Sequence, residues 1–305
     1  MNDAHTPDPA FHSGFVGLVG RPNSGKSTLL NTVLGETLAL VSSLPQTTRT
    51  PLRGIHTDER MQVVFVDTPG IHPGDHAFNE AMSARATALF ADRGVDVLAW
   101  VIDLSRPPAD EEDRIARAFE RGTQRVLLVF NKADLCEDVP ALLHRFNERY
   151  PFSESFERIV VSAHAPESKK TFCDALYPLV PPGAPLYGED ELTDAPMRFF
   201  AAEAIREQII RNTREEVPHA SFVEIVSYRE IDGRHIIDAN IHVETKGQRG
   251  IVVGKNGGGI KKINHFSARA VAALTGEPAK VVCHVKITPK WRDDRRFLRE
   301  MGIEK

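Results

Sequence analysis

The spacing of apolar residues predicts alternating strands and helices through the first half of the chain. Continuous apolar runs that predict buried strands lie at residues 15–19, 62–66, 95–104, 125–130 and 156–161. Helical spacing follows Gly25 and recurs over residues 78–90 and 110–121. Buried strands that alternate with helices indicate a parallel sheet covered on both faces. The predicted fold class is therefore α/β, with a doubly wound, mostly parallel sheet.

A glycine-rich loop joins the first predicted strand to the first helix. The run Gly20-x-x-x-x-Gly25-Lys26-Ser27 matches a phosphate-binding loop, in which backbone N–H groups and the helix N-terminus point at phosphate oxygens. The Lys26 ammonium is expected to reach the outer phosphates, and the Ser27 hydroxyl to bind Mg²⁺. The predicted phosphate-site residues are Gly20, Arg21, Pro22, Asn23, Ser24, Gly25, Lys26, Ser27 and Thr28.

Two later segments predict the remaining metal and phosphate contacts. Asp67 ends the second apolar strand, where a carboxylate can hold the water shell of Mg²⁺, and Gly70 offers an N–H to the terminal phosphate. The polar stretch over residues 36–50 contains Thr48, whose hydroxyl is a third candidate metal ligand. Ile71 stands where classical switches carry a water-orienting glutamine, so we expect slow intrinsic turnover. The residues predicted to line this part of the site are Asp67, Thr68, Pro69, Gly70 and Ile71.

The segment after the fourth strand favours guanine as the base. Asp134, in the run Asn131-Lys132-Ala133-Asp134, can accept two hydrogen bonds from the guanine ring N–H and exocyclic amine. Adenine offers an acceptor at the first of these positions and no amine beside it. Asn131 is expected to tie neighbouring loops together, and the Lys132 stem to lie along the ring. After the last strand come Ser162 and Ala163, whose backbone N–H is expected to donate to the guanine carbonyl.

Composition limits the classes of function for the whole chain. The 305 residues carry a net charge of −4, which argues against a uniformly basic nucleic-acid binder but not against a local basic face. Three distant cysteines predict neither a disulfide framework nor a zinc site. Residues 1–13 lack the apolar core of a secretion signal and are expected to be a disordered extension, and no apolar run reaches membrane-spanning length.

The second half of the chain predicts a smaller α+β domain. A proline-rich stretch over residues 177–196 suggests a boundary, and a helix over 197–214 and two strands over 221–228 and 235–244 follow. Gly254-x-x-Gly257 then matches the loop that clamps the backbone of single-stranded nucleic acid, and a helix and a strand over 281–287 are predicted after it. Residues 245–290 hold nine Lys or Arg residues and one acid, Glu277. The predicted RNA-binding residues are Val253, Gly254, Lys255, Asn256, Gly257, Gly258, Ile260, Lys261 and Lys262.

These motifs in this order resemble the Era-type GTPases, and the segment order of the second half resembles a type II KH domain. The stretches Arg21-Pro22-Asn23 and Gln46-Thr47-Thr48-Arg49 carry the narrower resemblance. The chain departs from the usual pattern at Ser24, where valine is common, and after Ala163, where His164 follows. The resemblance implies a GTPase domain over 14–180, a linker over 181–196 and a KH domain with a C-terminal tail over 197–305.

The resemblance also implies function. It predicts a GTP/GDP switch with Mg²⁺ that binds the 3′ region of small-subunit ribosomal RNA and assists assembly of the small ribosomal subunit. Lys26, Asn23, Thr48 and Gly70 are the expected catalytic residues, and Asn23 resembles a ligand for a catalytic K⁺ ion. The protein is expected to be a cytoplasmic monomer. Alternatives are a GTPase acting on another RNA such as transfer RNA, a constitutive RNA chaperone with a structural nucleotide domain, and peripheral association with the cell membrane.

Overall fold

The protein divides into two compact units. The computed structural model describes residues 11–39, 52–67, 76–82, 84, 94–120 and 124–304. One unit comprises Met1–Gly74 with Asn79–Asp194, and the other comprises Asp75–Phe78 with Ala195–Lys305. Within the described ranges, no helix is both long and apolar enough to cross a membrane.

The first unit is built on a six-stranded sheet. Its strands are β1 (His12–Val19), β2 (Leu52–Thr57), β3 (Met61–Asp67), β4 (Val97–Asp103), β5 (Arg125–Asn131) and β6 (Glu157–Val160), and their order is β2-β3-β1-β4-β5-β6. β2 is antiparallel to β3, and the other neighbouring pairs are parallel. The predicted doubly wound, mostly parallel sheet is therefore confirmed.

Helices cover both faces of this sheet. They are α1 (Lys26–Leu34), α2 (Asp110–Glu120), α3 (Val139–Arg149) and α4 (Glu167–Leu176). On one face, Trp100 of β4 packs against Phe119 of α2 and Phe146 of α3, with ring centroids 5.1 and 5.5 Å away. On the other face, Phe65 of β3 stacks on Phe172 of α4 at 5.7 Å. These rings bury apolar surface on both faces of the sheet, as a doubly wound sheet requires.

The candidate ligand site lies at the carboxyl ends of the strands, where the strand order reverses around β1. In such sheets, ligands bind beyond the carboxyl ends of the strands at the reversal point. Three strands end here in a polar residue: Asp67 is the last residue of β3, Asp103 of β4 and Asn131 of β5. The register pairs Asp103 directly with Asn131, whereas Asp67 aligns through Leu18 with Ala99, four residues before Asp103 in β4.

The proline-rich stretch, expected to be a linker over 181–196, packs on the first unit up to Asp194. The buried side chain of Gln62 donates to the Tyr187 carbonyl at 2.9 Å and accepts from the backbone N–H groups of Leu186 and Tyr187. The Ile55 N–H donates to the Leu192 carbonyl at 2.8 Å, which covers the outer edge of β2. Prolines exclude regular structure here but do not prevent these local hydrogen bonds.

The N-terminal boundary also differs from the expected one. β1 begins at His12, two residues before the expected domain start, and Ser13 donates through Oγ to the Ala184 carbonyl at 2.6 Å. The second strand, β2, was not predicted because Gly54 and His56 interrupt its apolar pattern. A side chain at Gly54 would lie 2.7 Å from Leu34 and 2.9 Å from Leu30, so glycine allows α1 to pack closely.

The second unit has the predicted order of elements with two further helices. It contains α5 (Met197–Asn212), β7 (Phe222–Ile231), β8 (Arg234–Val243), α6 (Lys246–Val253), α7 (Gly258–Thr275), β9 (Ala279–Ile287) and α8 (Arg295–Glu300). β8 pairs antiparallel with β7 and parallel with β9. The unpredicted α6 begins with a capping box, in which Thr245 and Gln248 satisfy each other's backbone N–H groups.

Residues 76–78 belong to the second unit although they come from the first half of the chain. The Phe78 side chain is 1% exposed and packs edge-to-face against Trp291 at 5.3 Å. The Phe78 N–H donates to the Arg292 carbonyl at 2.9 Å, and His76 Nδ1 lies at hydrogen-bond distance, 3.0 Å, from Asp293 Oδ2. The C-terminal tail of the second unit therefore holds a segment that lies six residues beyond Gly70 in sequence.

Candidate nucleotide site and nucleic-acid interface

The loop between β1 and α1 has the backbone of a phosphate cradle. Gly20 and Gly25 have φ angles of 155° and 100°, and Asn23 is left-handed at 59°. A Cβ atom on Gly20 would lie 2.4 Å from the Val101 carbonyl oxygen, and one on Gly25 would lie 2.1 Å from the Asn131 amide nitrogen. Both positions therefore require glycine, and α1 begins directly afterwards at Lys26.

Lys26 is buried inside this loop. Its ammonium donates to the Gly20 and Arg21 carbonyls, each at 3.0 Å. Burial lowers the pKa of Lys26 to about 8, although Asp67 and Glu112 oppose the shift. A lysine held in this way is a preformed cation that can exchange backbone carbonyls for phosphate oxygens.

Ser27 and Asp67 form the expected pair at the metal position. The Ser27 hydroxyl donates to Asp67 Oδ2 at 2.8 Å, and Asp67 is 0% exposed. A hydroxyl and a carboxylate are the hard oxygen donors that Mg²⁺ prefers, and nucleotide-bound Mg²⁺ takes its other ligands from phosphates and water. The residues present fit a bound Mg²⁺ ion. Among the described residues there is no cluster of three or more His, Cys, Asp or Glu residues that could hold a metal without a nucleotide.

Asn131 connects two loops of the site, as predicted. Its amide nitrogen donates to the Ser24 carbonyl at 2.8 Å, and its Oδ1 accepts from the Ala163 N–H at 2.8 Å. The Ala163 N–H, expected to contact the guanine carbonyl, donates in this structure to Asn131. The Thr32 hydroxyl donates to the Ala163 carbonyl at 2.5 Å, so α1 also holds this loop.

Asp134, which is predicted to read the base, lies on a short 3-10 helix after β5. Lys132 has a left-handed φ of 64°, and the 3-10 helix Ala133–Leu135 starts immediately after it. Asp134 is exposed, so its carboxylate is available to a base. The structure therefore presents Asp134 to solvent while Asn131 is 1% exposed and carries the structural hydrogen bonds.

A buried charge cluster lies beside the loop and was missed in the sequence. Arg21 Nε forms an ion pair with Glu112 at 3.1 Å, and Arg21 Nη2 forms one with Asp103 at 3.5 Å. Asp103 Oδ2 also accepts from Lys132 Nζ at 2.7 Å. Asp103 lay inside the predicted strand over residues 95–104, whereas in the structure it is the last residue of β4, as Asp67 and Asn131 are of β3 and β5.

Several predicted site residues lie outside the described part of the chain. They are Thr48, Thr68, Pro69, Gly70 and Ile71.

The glycine loop of the second unit has the geometry expected of a backbone clamp. Gly254 has φ 71° and ψ 171°, a region open only to glycine, and a Cβ atom there would lie 2.7 Å from the Gly259 nitrogen. Asn256 and Gly257 are left-handed at 53° and 73°, and α7 begins at Gly258. These conformations turn the chain sharply, so that the N-terminus of α7 lies directly beside the loop.

The side chains around this loop present positive charge. Lys255, Asn256, Lys261 and Lys262 are exposed, and Val253, Gly258 and Ile260 are partly exposed. Ile251 of α6 is also 52% exposed, which places an apolar side chain near the basic ones. Exposed lysines beside a glycine turn and an apolar surface are typical of sites for single-stranded nucleic acid.

Two protein families match separate parts of the chain. Residues 15–132 match the family described as 50S ribosome-binding GTPase, and residues 216–292 match the KH domain. Among curated proteins, GTPase Era of Geobacter metallireducens is 39% identical over 97% of this chain and 99% of its own length. GTPase Era of Lactobacillus helveticus is 37% identical over 97% of each chain.

Solved structures extend this likeness to the whole fold. A variant of Era from Aquifex aeolicus bound to GDP and AlF₄⁻ is 29% identical, with a TM-score of 0.90 over 97% of this chain and all of the other. Era in complex with MgGDPNP and nucleotides 1506–1542 of 16S ribosomal RNA gives the same identity, coverage and TM-score. Since the curated relatives match almost end to end at well above 30% identity, the chain belongs to the Era family of GTPases.

Proposed function

We propose that this protein hydrolyses GTP and uses the nucleotide state to control binding of the 3′ region of 16S ribosomal RNA during assembly of the small ribosomal subunit. The observation that carries the proposal is the near full-length likeness to an Era protein solved with MgGDPNP and nucleotides 1506–1542 of 16S ribosomal RNA. The described nucleotide site and the glycine loop of the second unit both fit this assignment.

The residues of the first unit have separable roles in the proposed reaction. The phosphate cradle binds the nucleotide, and Lys26 neutralises charge on the outer phosphates. Ser27 and Asp67 would hold a Mg²⁺ ion, which supplies further charge neutralisation when bound. Asp134 selects guanine through its two carboxylate oxygens. Hydrolysis then depends on position and charge rather than on a covalent intermediate.

The second unit would supply the RNA contact. The loop from Gly254 to Gly257 fits the sugar–phosphate backbone, and Lys255, Lys261 and Lys262 provide charge around it. Because lysine contacts to phosphate release counterions, affinity should fall steeply as salt concentration rises.

A titration of RNA in two nucleotide states tests the proposal. Single-stranded RNA with the 3′ terminal sequence of 16S ribosomal RNA is titrated into protein loaded with GDPNP and then with GDP, at one salt concentration. We expect tighter binding in one state and weak binding of a scrambled RNA of equal length. Lys262→Ala should weaken binding in both states, whereas Glu157→Gln, an exposed change in the first unit, is the matched control.

The alternatives give different results in the same experiment. Equal affinity for the scrambled RNA or for transfer RNA would contradict the proposed RNA target, but it would not contradict the proposed GTP hydrolysis. Equal affinity in both nucleotide states would show that the nucleotide unit does not control RNA binding. Asp134→Asn tests the base separately: it should weaken GDP binding and favour xanthosine diphosphate, because the amide can donate to the second carbonyl of xanthine.

We also propose that Asn23 binds a K⁺ ion that assists hydrolysis. Its support is the position of Asn23 within the loop of the phosphate cradle, where its backbone is left-handed with a φ of 59°. GTP turnover should be faster in K⁺ than in Na⁺ buffer at equal ionic strength, and Asn23→Ala should remove the difference. Equal rates of the unmodified protein in both buffers would contradict this proposal.

We also propose a cellular location and an oligomeric state for the protein. A cytoplasmic monomer suits a protein that meets GTP and ribosomal subunits, and light scattering after size exclusion measures the mass directly. The exposed lysines of the second unit would also attract an anionic membrane surface. Sedimentation with phosphatidylglycerol vesicles, with and without competing RNA, separates peripheral membrane association from RNA binding on the same face.

A further inference from the structure

The charges beside the phosphate loop form a connected cluster. Arg21, Asp103 and Glu112 are 8%, 2% and 2% exposed, and the partly exposed ammonium of Lys132 joins them through Asp103. Arg106 adds an exposed cation, whose Nε lies 4.0 Å from Asp103 Oδ2. Buried ions are costly unless they are paired, so the three buried side chains depend on one another.

Asp103 is at the centre of the cluster. Its carboxylate accepts from Lys132 Nζ at 2.7 Å, from Ser105 Oγ at 2.5 Å and from the Ser105 N–H at 3.0 Å, and it pairs with Arg21. Although burial alone would raise the pKa of Asp103, the hydrogen bonds from Lys132 and Ser105 lower it below its usual value. Asp103 therefore stays ionised and holds both cations.

The two cations belong to different halves of the nucleotide site. Arg21 lies within the phosphate loop, and its own carbonyl accepts from the buried Lys26 at 3.0 Å. Lys132 precedes the base-reading Asp134 and has a left-handed backbone, which non-glycine residues adopt only when their surroundings hold them. A single carboxylate thus contacts one residue beside the phosphates and one beside the base.

We infer that Asp103 is a positioning residue that couples the guanine loop to the phosphate loop. This inference rests on the proposed GTP-binding function. Asn131 joins the same two loops through neutral hydrogen bonds, and Asp103 adds a second, charged connection. When Asp103 is neutralised, Lys132 loses its carboxylate partner, and Arg21 keeps only Glu112 and the Pro107 carbonyl to hold it beside Lys26.

A double-mutant cycle on nucleotide release tests the coupling. The dissociation rate of fluorescently labelled GDP is measured for the full chain and for Asp103→Asn, Lys132→Met and the double variant, with thermal unfolding measured in parallel. We expect Asp103→Asn to accelerate GDP release about tenfold or more, because truncating a buried charge pair leaves its partner uncompensated. Lys132→Met should then have a much smaller effect in the Asp103→Asn background than in the unmodified protein.

The outcomes are separable. Additive effects of the two substitutions would overturn the inference, as would a lowered unfolding temperature with an unchanged GDP release rate. Glu120→Gln, an exposed change at the far end of α2, is the matched charge control and should release GDP like the unmodified protein.

If Asp103→Asn does not fold, Asp103→Glu tests whether Asp103 couples the two loops. This variant keeps the charge of the cluster but moves the carboxylate by one methylene, so it should fold and still release GDP faster. An unchanged release rate in Asp103→Glu would overturn the inference. Failure of the unmodified protein to bind GDP would instead overturn the proposed function, which is a different result.

Discussion

At the scale of single residues, the nucleotide site depends on charges that are buried before any ligand arrives. Lys26 is 6% exposed and contacts two carbonyls of its own loop, while Ser27 donates to Asp67. Preorganised groups of this kind need little rearrangement when phosphates bind, and this favours stabilisation of charge during transfer. Burial has a measurable consequence, because it changes the protonation of Lys26.

The affinity for GDP should fall as the pH rises through about 8. The pKa of Lys26 is lowered to about 8 without nucleotide, and bound phosphates favour the charged lysine and raise it. Binding therefore takes up a proton when the pH exceeds the lower of the two values. Between pH 7 and pH 9 we expect roughly a tenfold loss of affinity from this one group, measured by calorimetry in buffers of different ionisation enthalpy.

Lys26→Arg is the matched control for this pH dependence. A guanidinium stays protonated across this range, so its profile should be flat even where its absolute affinity is lower. A flat profile and no proton uptake in the unmodified protein would contradict the assigned role of Lys26.

At the scale of elements, the sequence predicted most of what local patterns specify. The phosphate loop, the strand ends at Asp67 and Asn131, and the glycine turn at Gly254 all follow from residue type and spacing. Features made by distant residues were missed. The hydrogen bonds between Gln62 and the backbone of residues 186–187 join positions more than 120 apart in sequence, and no local pattern reveals them.

The contacts of Gln62 predict that the proline-rich segment contributes to the stability of the first unit. Gln62→Leu would leave two backbone N–H groups and one carbonyl without their partner, at a cost of about 2–4 kcal/mol. Urea unfolding of the full chain measures the change in the free energy of unfolding. Tyr187→Phe keeps the backbone contacts and should change stability by less than about 0.5 kcal/mol. Equal stability of the two variants would mean that the segment is not held by Gln62.

The glycine loop of the second unit allows a paired test of backbone geometry. Gly254→Ala places a Cβ atom 2.7 Å from the Gly259 nitrogen in a conformation that only glycine adopts, so the loop must move. We expect RNA affinity to fall at least about tenfold, since a clamp displaced by 1 Å loses several contacts. Gly250→Ala, inside α6 with open space around it, should bind RNA normally. Fluorescence anisotropy measures both affinities, and equal losses would contradict the geometric argument.

At the scale of the whole molecule, the boundaries of the units do not follow the order of the chain. Sequence reasoning placed the second domain at 197–305, but this unit also contains residues 76–78, which fill a space beside Trp291. The chain after the predicted phosphate sensor at Gly70 therefore enters the second unit before it returns to the first. Sequence patterns could not show this, because Phe78 looks like any other apolar residue on a helix.

This arrangement predicts that the second unit needs Phe78 for full stability. In a Trp100→Phe background, Trp291 remains as the sole tryptophan, so its fluorescence reports unfolding of the second unit alone. Phe78→Ala removes a ring that is 1% exposed and should lower the free energy of unfolding by about 3–4 kcal/mol. His76→Gln changes only the partly exposed contact with Asp293 and should cost less than about 1 kcal/mol.

A fragment of residues 195–305 provides the complementary measurement. The fragment lacks Phe78, so its Trp291 should be more exposed to solvent, and its unfolding midpoint in urea should match that of the Phe78→Ala chain rather than that of the intact one. If the fragment is as stable as the second unit of the full chain, the packing of Phe78 on Trp291 contributes nothing, and residues 76–78 are passive. If both measurements agree with the expectation, any change of nucleotide that displaces residues 76–78 must also change the stability of the RNA-binding unit.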